Sequence, residues 1–166
     1  LGSGSGILSI TALRLGAKAA TGVDIDPKAE DIARENAAYN GFGSPAFTAL
    51  TGDVMADKRL MTRLAAEQYQ VVLVNIVADV IIGLAPVLPC FLEDESILIL
   101  SGILDVRLPD VLAALEQAGL AVMNICKRLG IRKDLVVFQD HLNVSLSAIS
   151  KNEDFLKALR DFRDSL

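Results

Sequence analysis

Apolar positions along this chain fall into short runs that alternate between two periods. Residues 6–15 carry Ile7, Leu8, Ile10 and Leu13 at helical spacing before Gly16 ends the run, which predicts a helix. Residues 19–23 form a brief apolar stretch ending in Asp24, as a strand would. Asp26-Pro27 reads as an N-cap with proline at the first helical position. The helix they open is expected to reach about Asn40, with Ile32, Ala33 and Ala37 on one side and Gly41 closing it. Residues 46–50 predict a second strand, followed by Thr51-Gly52-Asp53, and residues 57–67 a helix. Val71-Val72-Leu73-Val74 is almost wholly β-branched, the pattern of a central strand buried on both faces, and it ends in Asn75. Residues 78–92 read as helical, with Pro86 kinking or dividing them. A further buried strand is expected at 97–100, ending in Ser101-Gly102, and a helix at 108–118 closed by Gly119. Residues 120–127 and 135–139 have hairpin spacing about a short turn near Gly130, so they are expected to be antiparallel to each other.

Strands alternating with helices predict an α/β fold: a doubly wound, mostly parallel, Rossmann-like sheet with an antiparallel C-terminal hairpin. After Asp140 the pattern changes. Asn143, Ser145, Ser147, Ser150 and Asn152 suggest a polar connector, and 153–165 an amphipathic helix with Phe155, Leu159 and Phe162 on one stripe. The chain therefore divides into a domain at 1–140 and a connector with a helix at 141–166. No internal repeats are evident.

Composition adds exclusions more than functions. A hydrophobic share of 52% across 166 residues implies a well-filled core of one domain. Sixteen basic against 21 acidic residues, a net charge of −5, leave no basic footprint for direct nucleic-acid binding. Cys90 and Cys126 are expected to be free core thiols in a reducing cytosol. His141 is the only histidine, so no zinc or other metal site is expected. It falls near the end of the last expected strand and reads as structural rather than as a base. No apolar run reaches the roughly 18 residues of a membrane span.

The candidate chemistry collects at expected strand ends. Gly2-Ser3-Gly4-Ser5-Gly6 gives G-x-G-x-G at the start of a helix, where backbone can approach a ligand closely and N–H groups point outward. Such a loop normally follows a buried strand, and none precedes Leu1, so the first strand of the sheet is expected to be missing and the sequence to be a piece of a longer protein. Asp24 follows Gly6 by 18 residues, close to the roughly 20 at which nucleotide folds place an acid for ribose hydroxyls. Asp26 suits a cap better than a ligand contact. Asp53 either accepts from an exocyclic adenine amine or belongs to a Gly-Asp turn. Asn75, ending the most apolar strand, offers both a donor and an acceptor. It could hold an amine with its lone pair aimed at an electrophilic methyl group.

Four segments together resemble the catalytic domain of ribosomal protein L11 methyltransferases: Leu1 to Ile10, Gly22-Val23-Asp24-Ile25-Asp26-Pro27, Asn75-Ile76-Val77-Ala78 and Leu100-Ser101-Gly102-Ile103-Leu104. The first two are shared by most class I S-adenosylmethionine (AdoMet) methyltransferases, whereas the last two are more particular. The resemblance covers about residues 1–140. It implies AdoMet-dependent N-methylation of lysine and N-terminal amino groups on ribosomal protein L11, in the cytoplasm. It assigns Gly2, Ser3, Gly4 and Gly6 to the methionine part of AdoMet, Asp24 and Ile25 to the nucleoside, Asp53 and Val54 to adenine, and Asn75 to the methyl and the incoming amine. It also implies a preceding strand and an N-terminal substrate-recognition domain, which these residues do not include. Three alternatives stay open: an NAD-type dinucleotide-binding domain, a non-catalytic binding module, and another protein-lysine methyltransferase such as those acting on electron-transfer flavoprotein.

Overall fold

Helices and strands alternate as expected in a computed structural model, which describes residues 1–128 and 132–139. Helix α1 (Ile7–Arg14) leads to β1 (Ala20–Asp24), α2 (Pro27–Tyr39), β2 (Phe47–Thr51), α3 (Lys58–Glu67) and β3 (Tyr69–Asn75). Then follow α4 (Ala78–Leu84), a 3-10 turn (Leu88–Phe91), β4 (Leu92–Leu104), α5 (Leu108–Gln117), β5 (Leu120–Arg128) and β6 (Arg132–Gln139). The turn near Gly130, His141, the polar connector and the helix at 153–165 lie outside the described residues.

Local chemistry explains the boundaries. The Asp26 carboxylate accepts from the Lys28 amide at 2.9 Å and Pro27 starts α2. Gly41, with φ of 78°, turns the chain out of that helix in the left-handed region. Asp57 caps α3 by accepting from the Arg59 and Leu60 amides at 2.8 and 3.1 Å. Pro86 falls between α4 and the 3-10 turn, dividing the helical stretch.

The strands form two sheets. β1 and β2 pair in parallel. β3 pairs in parallel with β4, while β6 lies antiparallel between β4 and β5. Among the described residues no strand lies between β1 and β3. Residues 1–3 tie the two sheets at one end of that interval: the Leu1 nitrogen donates to the Leu73 carbonyl at 2.7 Å, and the Ser3 amide to the Val23 carbonyl at 3.0 Å. Both acceptors sit near the last residues of their strands, so β1 and β3 end at a common edge. Tyr69 sits at the start of β3, and its hydroxyl meets Glu67 and Thr21 of β1. Burial, and then the Glu67 carboxylate, pushes its phenol up to about 12.

Two buried clusters form, and the larger reaches across both sheets, since Val23 of β1 belongs to it and Leu50 of β2 packs against it. Val72, Val74, Leu98 and Leu100 cluster with Ile81, Leu84, Leu88, Phe91, Val111 and Leu115. Ile10, Leu13, Ala33, Ala37, Phe47 and Ala49 form a smaller cluster beside β1 and β2. No helix among the described residues is long and apolar enough to cross a membrane.

Four expectations are corrected. The buried stripe of α2 is Ala29, Ala33 and Ala37, at i, i+4 spacing, and Ile32 is 48% exposed because one residue step turns the helix face away. In β3, Val72 and Val74 are buried but Val71 and Leu73 only half-buried, so the strand is not closed off on both faces. β4 begins at Leu92 rather than 97, because Leu92 already pairs with Tyr69. Cys90 is exposed and not a core thiol: the 3-10 turn carries Leu88 and Phe91 inward at i, i+3 and leaves position 90 outside.

Ala33 has no exposed surface and lies 3.0 Å from where a side chain on Gly6 would begin. Ala33→Leu should therefore lower unfolding free energy by about 1–3 kcal/mol through overpacking. Ile32→Ala should change it by less than about 0.5 kcal/mol. Denaturant titration of both variants checks the assignment of helix faces.

Candidate functional site

The edge at which the parallel strands end gathers the glycine loop, Asp24, Asp53 and Asn75. In an open α/β sheet this is where ligands bind. The loop folds as a tight turn, the Gly6 amide donating to the Ser3 carbonyl at 2.8 Å. Gly2, Gly4 and Gly6 have φ of 67°, 48° and 79°, a region that side chains disfavour. They differ in what surrounds them. A Cβ on Gly2 would lie 2.2 Å from the Ile76 Cγ2, and one on Gly6 would lie 3.0 Å from the Ala33 Cβ, whereas Gly4 borders open space. Two of the glycines are thus needed for packing, and the third faces outward, as a ligand cradle requires.

Asp24 is joined to that cradle. Its Oδ2 accepts from the Gly4 amide at 2.8 Å and its Oδ1 from the Asp26 amide at 3.0 Å. A carboxylate has about four acceptor positions, so two hydroxyl groups can still be received. Ile25, next in sequence, is 73% exposed. Across the β1–β2 pair, the Gly52 amide donates to the Asp24 carbonyl at 2.8 Å. That bond brings the next loop alongside. Asp53 is exposed and its Oδ1 accepts from the Met55 amide at 2.8 Å. It is both a turn residue and an outward carboxylate, so the two readings of Gly52-Asp53 are compatible. The Val54 side chain is in the core.

Asn75 is exposed at the end of β3, paired in register with Ser101 of β4. The segment Asn75–Ile76 passes between two glycines. Gly2 lies on one side, and Gly102, with φ of 85°, on the other. Beyond it, Arg107 donates to Asp79 at 2.7 Å and to Asp110 at 2.9 Å, fastening the chain after β4 to the start of α4. These partners hold the Arg107 guanidinium above its ordinary pKa. Among the described residues no group of histidine, cysteine or carboxylates is placed to hold a metal ion.

Several supporting residues escaped the sequence reading. The Asn36 carboxamide donates to the Ser5 carbonyl at 2.9 Å, pinning the glycine loop from α2. A polar amide within a helix was the available signal. Thr51 donates to Glu30 at 2.6 Å, linking β2 to the first turn of α2. Arg107 carried no signal, since its partners are 28 residues away and three residues away in sequence.

Comparison with known proteins places the chain in a family. Residues 1–130 match the family model described as ribosomal protein L11 methyltransferase (PrmA). The ribosomal protein L11 methyltransferase of Agathobacter rectalis is 42% identical over 125 residues, covering 75% of this chain and 39% of that protein. The crystal structure of ribosomal protein L11 methylase from Lactobacillus delbrueckii subsp. bulgaricus superposes with a TM-score of 0.73 at 30% identity, over 84% of this chain and 68% of that one. An RNA methyltransferase from Salinibacter ruber, crystallised with S-adenosyl-L-homocysteine, shares the fold, with a TM-score of 0.63 at 19% identity over 87% and 80% of the two chains. The chain spans about two fifths of the length of the curated relatives it matches.

The surroundings of the glycines generate a direct contrast. Gly2→Ala must displace Ile76 as well as strain the backbone and should destabilise by about 2–4 kcal/mol. Gly4→Ala meets only the backbone strain, about 1–2 kcal/mol. Paired denaturation curves measure the difference.

Proposed function

The chain belongs to the ribosomal protein L11 methyltransferase family, and we propose that it forms the part of such an enzyme that binds AdoMet and presents an amine to it. The substrate class is the amino groups of ribosomal protein L11, lysine side chains and the N-terminal amine. One observation carries this reading: the Asp24 carboxylate is bonded to the glycine loop at Gly4, while the Ile76 side chain lies against Gly2 of the same loop and so seats the neighbouring, exposed Asn75 beside it. A nucleoside-binding acid and an amine-binding amide thus flank one cradle. An NAD-type site would give Asn75 no task.

The residues present fit AdoMet on their own chemistry. Asp24 retains acceptors for both ribose hydroxyls, Gly4 leaves open space beside the loop, and the first amides of α1 suit the carboxylate of the methionine part. Gly2, Ser3, Gly4 and Gly6 would hold that part, Ile25 would lie against the nucleoside, and Asp53 with the Val54 backbone would take adenine. AdoMet supplies a sulfonium-activated methyl group, so the protein needs no strong base.

What the chain must do is position a neutral amine. The Asn75 Oδ1 accepts one amine N–H, and the Ile76 carbonyl beside it offers a second acceptor. Two bonds made through hydrogens leave the nitrogen lone pair free to point at the methyl carbon. A lysine, with a reference pKa of about 10.4, must first give its proton to water, and a partly dry pocket favours the neutral form. The net charge of −5 suits a basic protein partner. The cytoplasm, where ribosomal proteins are made, is the fitting location.

Two variants of the full-length protein separate binding from chemistry. Asp24→Ala should weaken AdoMet binding about ten- to a hundredfold, read by calorimetry. An unchanged dissociation constant would remove Asp24 from the site. Asn75→Ala should lower kcat on L11 by much more than it weakens AdoMet binding. Equal losses would assign Asn75 to the cofactor or the fold instead.

A further inference from the structure

The segment Leu100–Leu104 enters the site only through what it leaves out. Gly102 has φ of 85°, and a Cβ there would lie 3.1 Å from the Asn75 Oδ1 and 3.2 Å from the Ile76 carbonyl oxygen. Both oxygens are the amine acceptors of the reading above, on which this inference rests. Both therefore converge on the single bare Cα of Gly102.

We propose that Gly102 is a positioning residue for methyl transfer, keeping open the space in which the Asn75 carboxamide and the Ile76 carbonyl face the amine together. The surroundings determine what would yield if that space were filled. Leu100 and Ile103, flanking the glycine, have no exposed surface, so β4 cannot withdraw without disturbing the core. The pairing of β4 with β6 shifts register between Leu100 and Ile103, and Gly102 sits within that irregularity. On the far side, Ile76 is already against Gly2, where a Cβ would be 2.2 Å from its Cγ2. Ile76 is therefore confined at both ends, its side chain by Gly2 and its carbonyl by Gly102. Of Asn75 and Ile76, Asn75 is the exposed residue, so its side chain is the group with room to yield. A methyl group at 102 pushes the carboxamide aside by a few tenths of an ångström and spoils the joint alignment of the two acceptors. The cofactor half is untouched, because Asp24 and its bond to Gly4 belong to β1 and the loop on the other side of Gly2.

The test is a double-mutant cycle in the full-length enzyme. Gly102→Ala should lower kcat on L11 by about tenfold or more, with S-adenosyl-L-homocysteine binding by calorimetry within about threefold of the parent. In an Asn75→Ala background, the same substitution should cost less than about twofold, since the group it displaces is gone. An equal loss in both backgrounds, or no loss in the first, would overturn the proposal. Gly102→Asn carries the same Cβ on a residue that tolerates left-handed backbone and should reproduce the pattern if the alanine variant folds poorly. A second readout needs no turnover: the side-chain amide resonance of Asn75 in a 15N-labelled sample should shift in the position-102 variants. An unshifted resonance refutes the positioning role whatever the substrate. A shifted resonance in a protein that never methylates L11 refutes only the substrate assignment.

Discussion

Ile76 has room for its side chain only because position 2 has none. That contact, 2.2 Å from where a Cβ on Gly2 would stand, fixes the distance between the glycine loop and the end of β3. The neighbouring bonds depend on it. With the loop seated there, Leu1 reaches Leu73 and Ser3 reaches Val23, so the same three residues join two sheets that otherwise share no strand pairing. The loop that forms the site is thus also one of the links between the sheets, beside the Tyr69 contact with Thr21 and the packing of Val23 in the larger cluster.

The two buried clusters differ in the size of the side chains beside the site. The smaller cluster beside β1 and β2 uses Ala33, Ala37 and Ala49 where the larger one uses leucine and isoleucine. Small residues let α2 approach the loop closely enough for Ala33 to underlie Gly6 and for Asn36 to bond Ser5. On the other side, Leu98, Leu100, Ile103 and Ile81, none with any exposed surface, give β4 and α4 a rigid base beneath Asn75. A ligand spanning the loop would be held by a backbone cradle at one end and by a side chain on a stiff support at the other.

Much of this was legible in the chain. Asp26-Pro27 and Gly41 bound α2 because capping is local chemistry, read over a few residues. The strand ends at Asp24 and Asn75 were visible because an apolar run stopping at a polar residue marks the edge of a sheet. What stayed hidden depends on distances across the fold. The approach of Gly102 to Asn75, the Arg107 bond to Asp79 and the Asn36 bond to Ser5 join residues 27, 28 and 31 positions apart. Nothing in a period of 2 or 3.6 reports such pairs. Ile32 and Cys90 were misplaced for a related reason: hydrophobic type was read as burial, whereas helix phase decides which position faces inward.

The most direct test of the shared edge as a methyl-transfer site is a crystal structure of the full-length protein with S-adenosyl-L-homocysteine. The ribose hydroxyls should lie within hydrogen-bonding distance of the Asp24 carboxylate, and the sulfur should face Asn75 across Gly2. A ligand bound away from Asp24, or with its sulfur turned from Asn75, would contradict the assignment of this edge to methyl transfer.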